Sequence, residues 1–179
     1  DDFVVCFQHR EEAERFLVEL QKRFEQFQLE LSAEKTRIVR FGTMSPYNGR
    51  TGPGTAARTF DFLGFTHYMR AKGRRRKYHV ARKPSGKSRN KFLRNVKAWV
   101  TRYRHTSVWY QARALARKLR GYYNYFGLRY CKPALRHVRW HVQRLWISAL
   151  RRRSQRHRLH WSRVHRRPWF NTLPEPKLR

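Results

Sequence analysis

Beyond residue 70 the chain carries 33 of its 43 Lys and Arg residues but only one of its 11 acids, Glu175; up to that point the two kinds balance at 10 each. A stretch so one-sided cannot neutralise itself. Any fold it adopts must turn its cations outward, leaving a surface field that attracts polyanions and raises their encounter rate. The net charge of +32 on 179 residues is far more than solubility requires, and nucleic acid is the first partner it suggests. The asymmetry predicts a neutral folded segment suited to chemistry, followed by an anion-binding one. A 40% share of hydrophobic residues, with 15% aromatic, is enough to build cores and excludes a fully disordered chain.

Cys6 and Cys131 lie far apart with no Cys-x-x-Cys spacing, so neither a disulfide framework nor a zinc ribbon is indicated, and a reducing compartment fits. No apolar run approaches 18 residues and no basic-then-apolar signal pattern opens the chain, so no membrane partner is expected. The chain begins at Asp1 without an initiator Met, which reads as a fragment starting inside a fold; a cytoplasmic, bacterial setting is expected.

Hydrophobic periodicity organises the rest. Phe3 to Phe7 is a short run of β-formers and reads as a buried strand, with Asp1 and Asp2 at the turn before it. Glu11 and Glu12 suit the first turn of a helix in which Ala13, Phe16, Leu17, Leu20, Phe24 and Phe27 recur at helical spacing, forming a face that should cover a sheet. Further strands are expected at Thr36 to Phe41 and Phe60 to Phe65, separated by a turn-rich loop containing Ser45-Pro46, Asn48-Gly49 and Gly52-Pro53-Gly54. A hairpin through Lys72-Gly73 would pair His67-Tyr68-Met69 with Tyr78-His79-Val80.

After a Lys83-Pro84-Ser85-Gly86 hinge, three amphipathic helical patterns follow. Their stripes are Phe92, Val96, Trp99, Val100 and Tyr103; then Ala112, Leu115, Ala116, Leu119 and Tyr122; then Leu135, Val138, Val142, Leu145, Trp146 and Ala149. Short connectors make them a bundle. The His- and Arg-rich tail adds at most a short helix ending at Pro168. The expected fold is α+β: antiparallel strands with one packed helix over residues 1–83, an all-α three-helix bundle over 84–153, and a basic extension over 154–179.

Adjacent carboxylates at a strand turn suit Mg²⁺, a hard cation that takes oxygen ligands, though an Asp pair by itself is more often a solvated turn. In order along the chain come Asp1-Asp2-Phe-Val-Val-Cys-Phe7, Leu29-Glu-Leu-Ser-Ala-Glu-Lys-Thr-Arg-Ile38 and Phe60-Asp-Phe-Leu-Gly-Phe65. This series resembles the consecutive late palm motifs of reverse transcriptases. Leu119-Arg-Gly-Tyr-Tyr-Asn-Tyr-Phe-Gly127 resembles the maturase-specific thumb region of group II intron proteins, and Leu150-Arg-Arg-Arg-Ser-Gln155 and Leu173-Pro-Glu-Pro176 are similar to the far ends of bacterial members. The resemblance covers essentially the whole chain, although of the Tyr-Ala-Asp-Asp hairpin only the Asp-Asp is present.

The resemblance implies a polymerase palm remnant followed by a thumb, in an RNA-directed DNA polymerase that also helps its intron RNA fold and splice. It implies Asp1 as the principal Mg²⁺ ligand with Asp2 supporting, and Lys35 beside the departing pyrophosphate as an acid or electrostatic aid. Leu63, Gly64 and Phe65 would lie near the primer end. Group II intron RNA and a template-primer duplex would be the partners, with target DNA left open as a third. Two-metal chemistry in this family also needs an aspartate from an earlier strand and a set of fingers, so the chain by itself is not expected to polymerise. The rival reading is a non-catalytic RNA-binding maturase or degenerate fragment.

Helical spacing assigns the RNA-binding cations. Arg113, Arg117 and Arg120 recur at i, i+4 and i+7 opposite an apolar stripe, and Arg136, Arg139 and Arg144 decorate the next helix. Trp99, Tyr122 and Trp146 fall on apolar stripes and read as core. Tyr110, Tyr123, Tyr125 and Trp140 are left as rings able to stack on exposed bases, Tyr123 and Tyr125 within the thumb motif. His157, His160 and His165 lack the accompanying cysteine pairs, so a nuclease metal site is rejected.

Overall fold

A computed structural model describes residues 2–41, 59–72, 77–154 and 159–178. It begins with one helix, α1 (Arg10–Gln26). A three-stranded antiparallel sheet follows in the order β1 (Phe60–Phe62), β2 (Phe65–Lys72), β3 (Lys77–Pro84). Helices α2 (Gly86–Arg102), α3 (Val108–Phe126), α4 (Lys132–Arg151), α5 (Trp161–Val164) and α6 (Pro168–Asn171) complete it. The fold class is α+β, as expected. Two compact units divide the chain: Asp1–Leu63 with Tyr68–Val80, and Gly64–His67 with Ala81–Arg179.

The strand expected over Phe60 to Phe65 is broken in its middle. Leu63 and Gly64 both have positive φ, 47° and 77°, as a two-residue type I′ hairpin turn requires at its two central positions. The chain therefore reverses there, making two strands where alternation alone reads as one. The expected hairpin pairing, β2 with β3, is present, and its turn lies outside the described residues.

In the first unit α1 forms as expected, with Glu11 and Glu12 in its first turn and the exposed i,i+4 pair Arg10–Glu14 at 2.6 Å. Two expectations fail. Residues 3–7 and 36–41 are not strands, and Phe3, Val4, Val5 and Phe7 are exposed. No residue of α1 is buried, so its apolar stripe does not cover a sheet among the described residues. β-propensity marks a segment that fits a pleated surface, but a strand exists only where a neighbour supplies the hydrogen-bonding ladder.

The second unit is built as the periodicity predicts. Val96 and Val100 of α2, Ala112, Leu115, Ala116 and Leu119 of α3, and Leu135, Val138, Val142 and Trp146 of α4 form one buried cluster. The main helix-helix contact is between α2 and α4. The tail expected as an extension beyond residue 154 instead contributes Val164, Phe170 and Leu173 to this core. Phe170 lies parallel to Trp146 at 6.4 Å, and Trp169 meets Trp146 edge-on at 5.0 Å. Pro168 opens α6 and does not merely end what precedes it, because the first helical position needs no N–H.

The segment read as a hinge is pinned. Ser85 is buried; its N–H donates to the Gly64 carbonyl at 2.9 Å and its Oγ accepts from the Ser88 N–H at 3.1 Å, which caps α2. Gly127 closes α3 against the returning C-terminal segment. A Cβ there would overlap the Tyr123 carbonyl and come within 3.0 Å of the Lys177 carbonyl.

One buried side chain ties the bundle together. Gln111, fully buried at the start of α3, donates from Nε2 to the carbonyls of Tyr103 at 2.6 Å and Arg104 at 3.1 Å, while its Oε1 accepts from the Trp146 indole at 2.8 Å. Gln111→Leu keeps the volume but takes the partner from the buried Trp146 indole N–H and a donor from the Tyr103 and Arg104 carbonyls, of which Tyr103 keeps the Thr106 N–H and hydroxyl. We expect it to cost about 2 to 3 kcal/mol, read as a lowered urea midpoint at an unchanged m-value; a midpoint equal to that of the parent would show these bonds to be dispensable.

Candidate nucleic-acid interface

The outer face of α3 is a row of cations. Arg113, Arg117 and Arg120 are all exposed, continued toward the helix start by exposed Trp109 and Tyr110. Ala112, Leu115, Ala116 and Leu119 fill the opposite face, so core packing fixes which way the arginines point. The acid-free sequence around them leaves no carboxylate of α3 to pair with, and side chains at i, i+4 and i+7 follow one line along the helix.

On α4 the exposed stripe is Arg136, His137, Trp140 and Arg144. The Arg144 guanidinium sits over the Trp140 ring at 4.7 Å, and the His137 ring lies nearly parallel to Trp140 at 6.1 Å. Cation and ring thus form one amphipathic surface. His141 presents its Nε2 to His137 Nε2 at 3.2 Å. Burial, followed by the charges of His137, Arg89 and Arg144, holds its pKa below the ordinary histidine value. No group of three or more His, Cys, Asp or Glu able to hold a metal occurs among the described residues.

Two of the expected nucleic-acid contacts need correction. Arg139 points inward: it pairs with Glu175 at 3.1 Å, donates to the Leu173 carbonyl at 3.3 Å, and its side chain is only 21% exposed. The single acid of the basic part is spent on fastening the C-terminal segment. Tyr123 is buried in the core, where burial raises its phenol pKa above the usual tyrosine range; its neighbour Tyr122 is pushed up to about 12 for the same reason. Tyr123 therefore presents no face to a base. Tyr125 is exposed, but its ring stacks on Phe65 at 5.6 Å. Helical spacing separates 122, 123 and 126 from 125, whereas the wide apolar arc of a helix bound on two sides takes in Tyr123 as well.

The palm-motif residues have unlike surroundings. Asp1 lies outside the described residues, as does the turn-rich loop after Phe41. Asp2 is exposed, and Lys35 is exposed in a turn whose N–H donates to the Ser32 carbonyl at 3.1 Å. Leu63 is exposed, Gly64 forms the hairpin turn, and Phe65 is buried against Phe126 at 4.9 Å. The described residues therefore supply one exposed carboxylate at the expected Mg²⁺ position, a donor set that does not by itself hold the ion.

Two contributors escaped the sequence reading. Trp99, assigned to the core by its stripe, is only partly buried, with the Lys118 ammonium 5.5 Å from its ring centroid. Trp99 and Lys118 line a groove of about 390 Å³ together with Tyr110, Ala114 and Arg117. The available signal was Tyr110, Ala114 and Lys118 at i, i+4 and i+8: an alanine between two long side chains on one ridge leaves a notch.

Comparison of the chain with protein-family models, curated proteins and solved structures gives no match.

The His141 environment sets a pH dependence. Its pKa is lowered in the folded state, so the unfolded chain binds more protons below the ordinary histidine value; the stability His141 contributes is present above that value and is lost as pH falls through the folded pKa. We expect His141→Gln to lose less stability than the parent between pH 7 and pH 5, measured as the shift in urea midpoint. Equal shifts would show that His141 is not the group responsible.

Proposed function

We propose that this chain is the C-terminal segment of a group II intron reverse transcriptase and maturase, and that its second unit holds structured intron RNA by the phosphate backbone. The observation that carries the binding is the α3 row, in which Arg113, Arg117 and Arg120 are exposed on a helix face without acids while the opposite face is locked into the core. Outward arginines on a formed helix need no backbone ordering on contact and present forked donors suited to phosphate oxygens. Arg136 and Arg144 of α4 add to the same basic unit.

The family assignment is supported by the ordered motifs: Asp1-Asp2, Leu31-Ser-Ala-Glu-Lys-Thr36, Leu63-Gly-Phe65 and Leu119 to Gly127. In this reading residues 1–83 are a palm remnant, residues 84–153 the thumb and residues 154–179 a basic C-terminal extension. Polymerisation belongs to the parent protein, an RNA-directed DNA polymerase using Mg²⁺; the described residues do not assemble a metal site, and no catalytic step is assigned to them. A splicing maturase that clamps RNA without synthesis needs only the basic unit. The two readings part at Asp1, since in a primer-extending polypeptide containing this segment Asp1→Asn should abolish extension with RNA affinity retained, whereas undiminished extension would remove Asp1 from the catalytic set.

The binding itself has a direct test. Neutralised phosphates release condensed counterions, so log affinity falls linearly with log salt, at roughly −0.7 to −0.9 per phosphate contacted. Replacing Arg113, Arg117 and Arg120 together by Gln should make the slope shallower by about two to three. Circular dichroism should show equal helix content, and superimposable slopes for parent and variant would remove this face from the interface.

A further inference from the structure

The groove between α2 and α3 combines features that a phosphate-tracking row does not need. Its lining is Trp99 from α2 and Tyr110, Ala114, Arg117 and Lys118 from α3, around an open depression of about 390 Å³, a size within the range of small-ligand sites. The two rings face one another with centroids 6.4 Å apart and planes inclined by 34°. Tyr110 is 48% exposed, whereas Phe65, Tyr122, Tyr123, Phe126, Trp146 and Phe170 of this unit are buried. An exposed ring in water forgoes the stabilisation that burial gives, and a second aromatic beside it makes an apolar wall on an otherwise cationic surface.

The floor of the groove is Ala114, whose methyl group leaves room between Tyr110 and Lys118. Its far rim carries two exposed cations, Arg117 and Lys118. The Lys118 ammonium rests over the Trp99 ring at 5.5 Å, a contact worth little at an exposed site and readily exchanged for a phosphate. Arg117 also belongs to the row with Arg113 and Arg120, so one residue is shared between the phosphate track and the aromatic notch.

We propose that this groove is a seat for one unpaired nucleobase of the bound RNA, stacked against Tyr110 and Trp99, with Arg117 and Lys118 holding its flanking phosphate. The ligand chemistry is dictated by the lining. A flat π-face suits the rings, an adjacent anion suits the cations, and a nucleotide is the unit that carries both within one groove length. A base paired in a duplex is stacked between its neighbours and cannot enter, so the site selects loops and bulges. It would thereby give the sequence-blind phosphate row a preference for RNA with an unpaired nucleotide at the right place. The inference rests on the proposed RNA binding and adds to it a stacking site on named rings.

The test uses the full chain and two RNAs of equal length: a hairpin with a single bulged 2-aminopurine in its stem and the same hairpin fully paired. Parent protein should prefer the bulged RNA, and its binding should quench the 2-aminopurine fluorescence by stacking. Tyr110→Ala should reduce the preference about tenfold, within the roughly 5- to 150-fold range that loss of one base-aromatic stack spans, and should abolish the quench. Tyr110→Phe keeps the ring and should restore both, and Lys118→Gln should weaken the preference while retaining the quench. If Tyr110→Ala lowers affinity for both RNAs equally, or the quench persists in that variant, the seat is not at Tyr110. If the parent binds both RNAs with a steep salt slope but without preference, the stacking site falls and the phosphate row stands. If it binds neither, both fall.

Discussion

The bundle depends on a buried amide. Gln111 is placed by α3 so that its two ends face in different directions: one satisfies the carbonyls where α2 ends, at Tyr103 and Arg104, and the other receives the indole of Trp146 from the middle of α4. Those carbonyls have no helical partners, because the last residues of a helix never do. Arg153 satisfies one more, reaching the Thr106 carbonyl at 2.6 Å. A hydrophobic core alone would hold three helices together loosely in rotation; a directional bond from each of two elements to one residue fixes their register. With the register fixed, the outward face of α3 is fixed too.

That constraint matters because the charge cannot help. Cations on this unit repel one another, and Glu175 is the only acid beyond residue 70. Its ion pair with Arg139 ties the C-terminal segment to α4 beside Leu173. Stability therefore comes from apolar burial and buried hydrogen bonds, and the arginines stay in water, where repulsion is screened by salt. A polyanion that bound this face would relieve the same repulsion, and by mass action its binding would favour the folded unit. Arg151 and Arg153 show the other use of a guanidinium: both donate to backbone carbonyls, Leu159 and Thr106, and serve the fold. Equal charge in the sequence thus hides two unlike roles.

The first unit behaves differently. Its helix forms from local signals, acids in the first turn and a regular apolar stripe, yet buries nothing. Of the residues the unit contributes to the expected catalytic set, Asp2 and Lys35 are both exposed. A metal site is a property of convergent carboxylates, and sequence motifs mark which residues would take part without bringing them together.

What the sequence determined by itself was everything that depends on periodicity and composition. Three helices of the second unit, their buried stripes and the outward placement of Arg113, Arg117 and Arg120 follow from a 3.6-residue repeat with a charge excess that has to face water. The tertiary structure alone decided what depends on neighbours distant in the chain. It turned Phe60 to Phe65 into a hairpin corner, denied residues 3–7 and 36–41 a ladder, took Arg139 out of the interface by way of Glu175, and sank Tyr123 into the core. It also left Trp99 at the rim of a groove beside Lys118. The physical reason is common to all of these: a helix repeat specifies a direction around one axis, whereas burial, strand pairing and ion pairing are relations between two segments, and only packing sets the second partner.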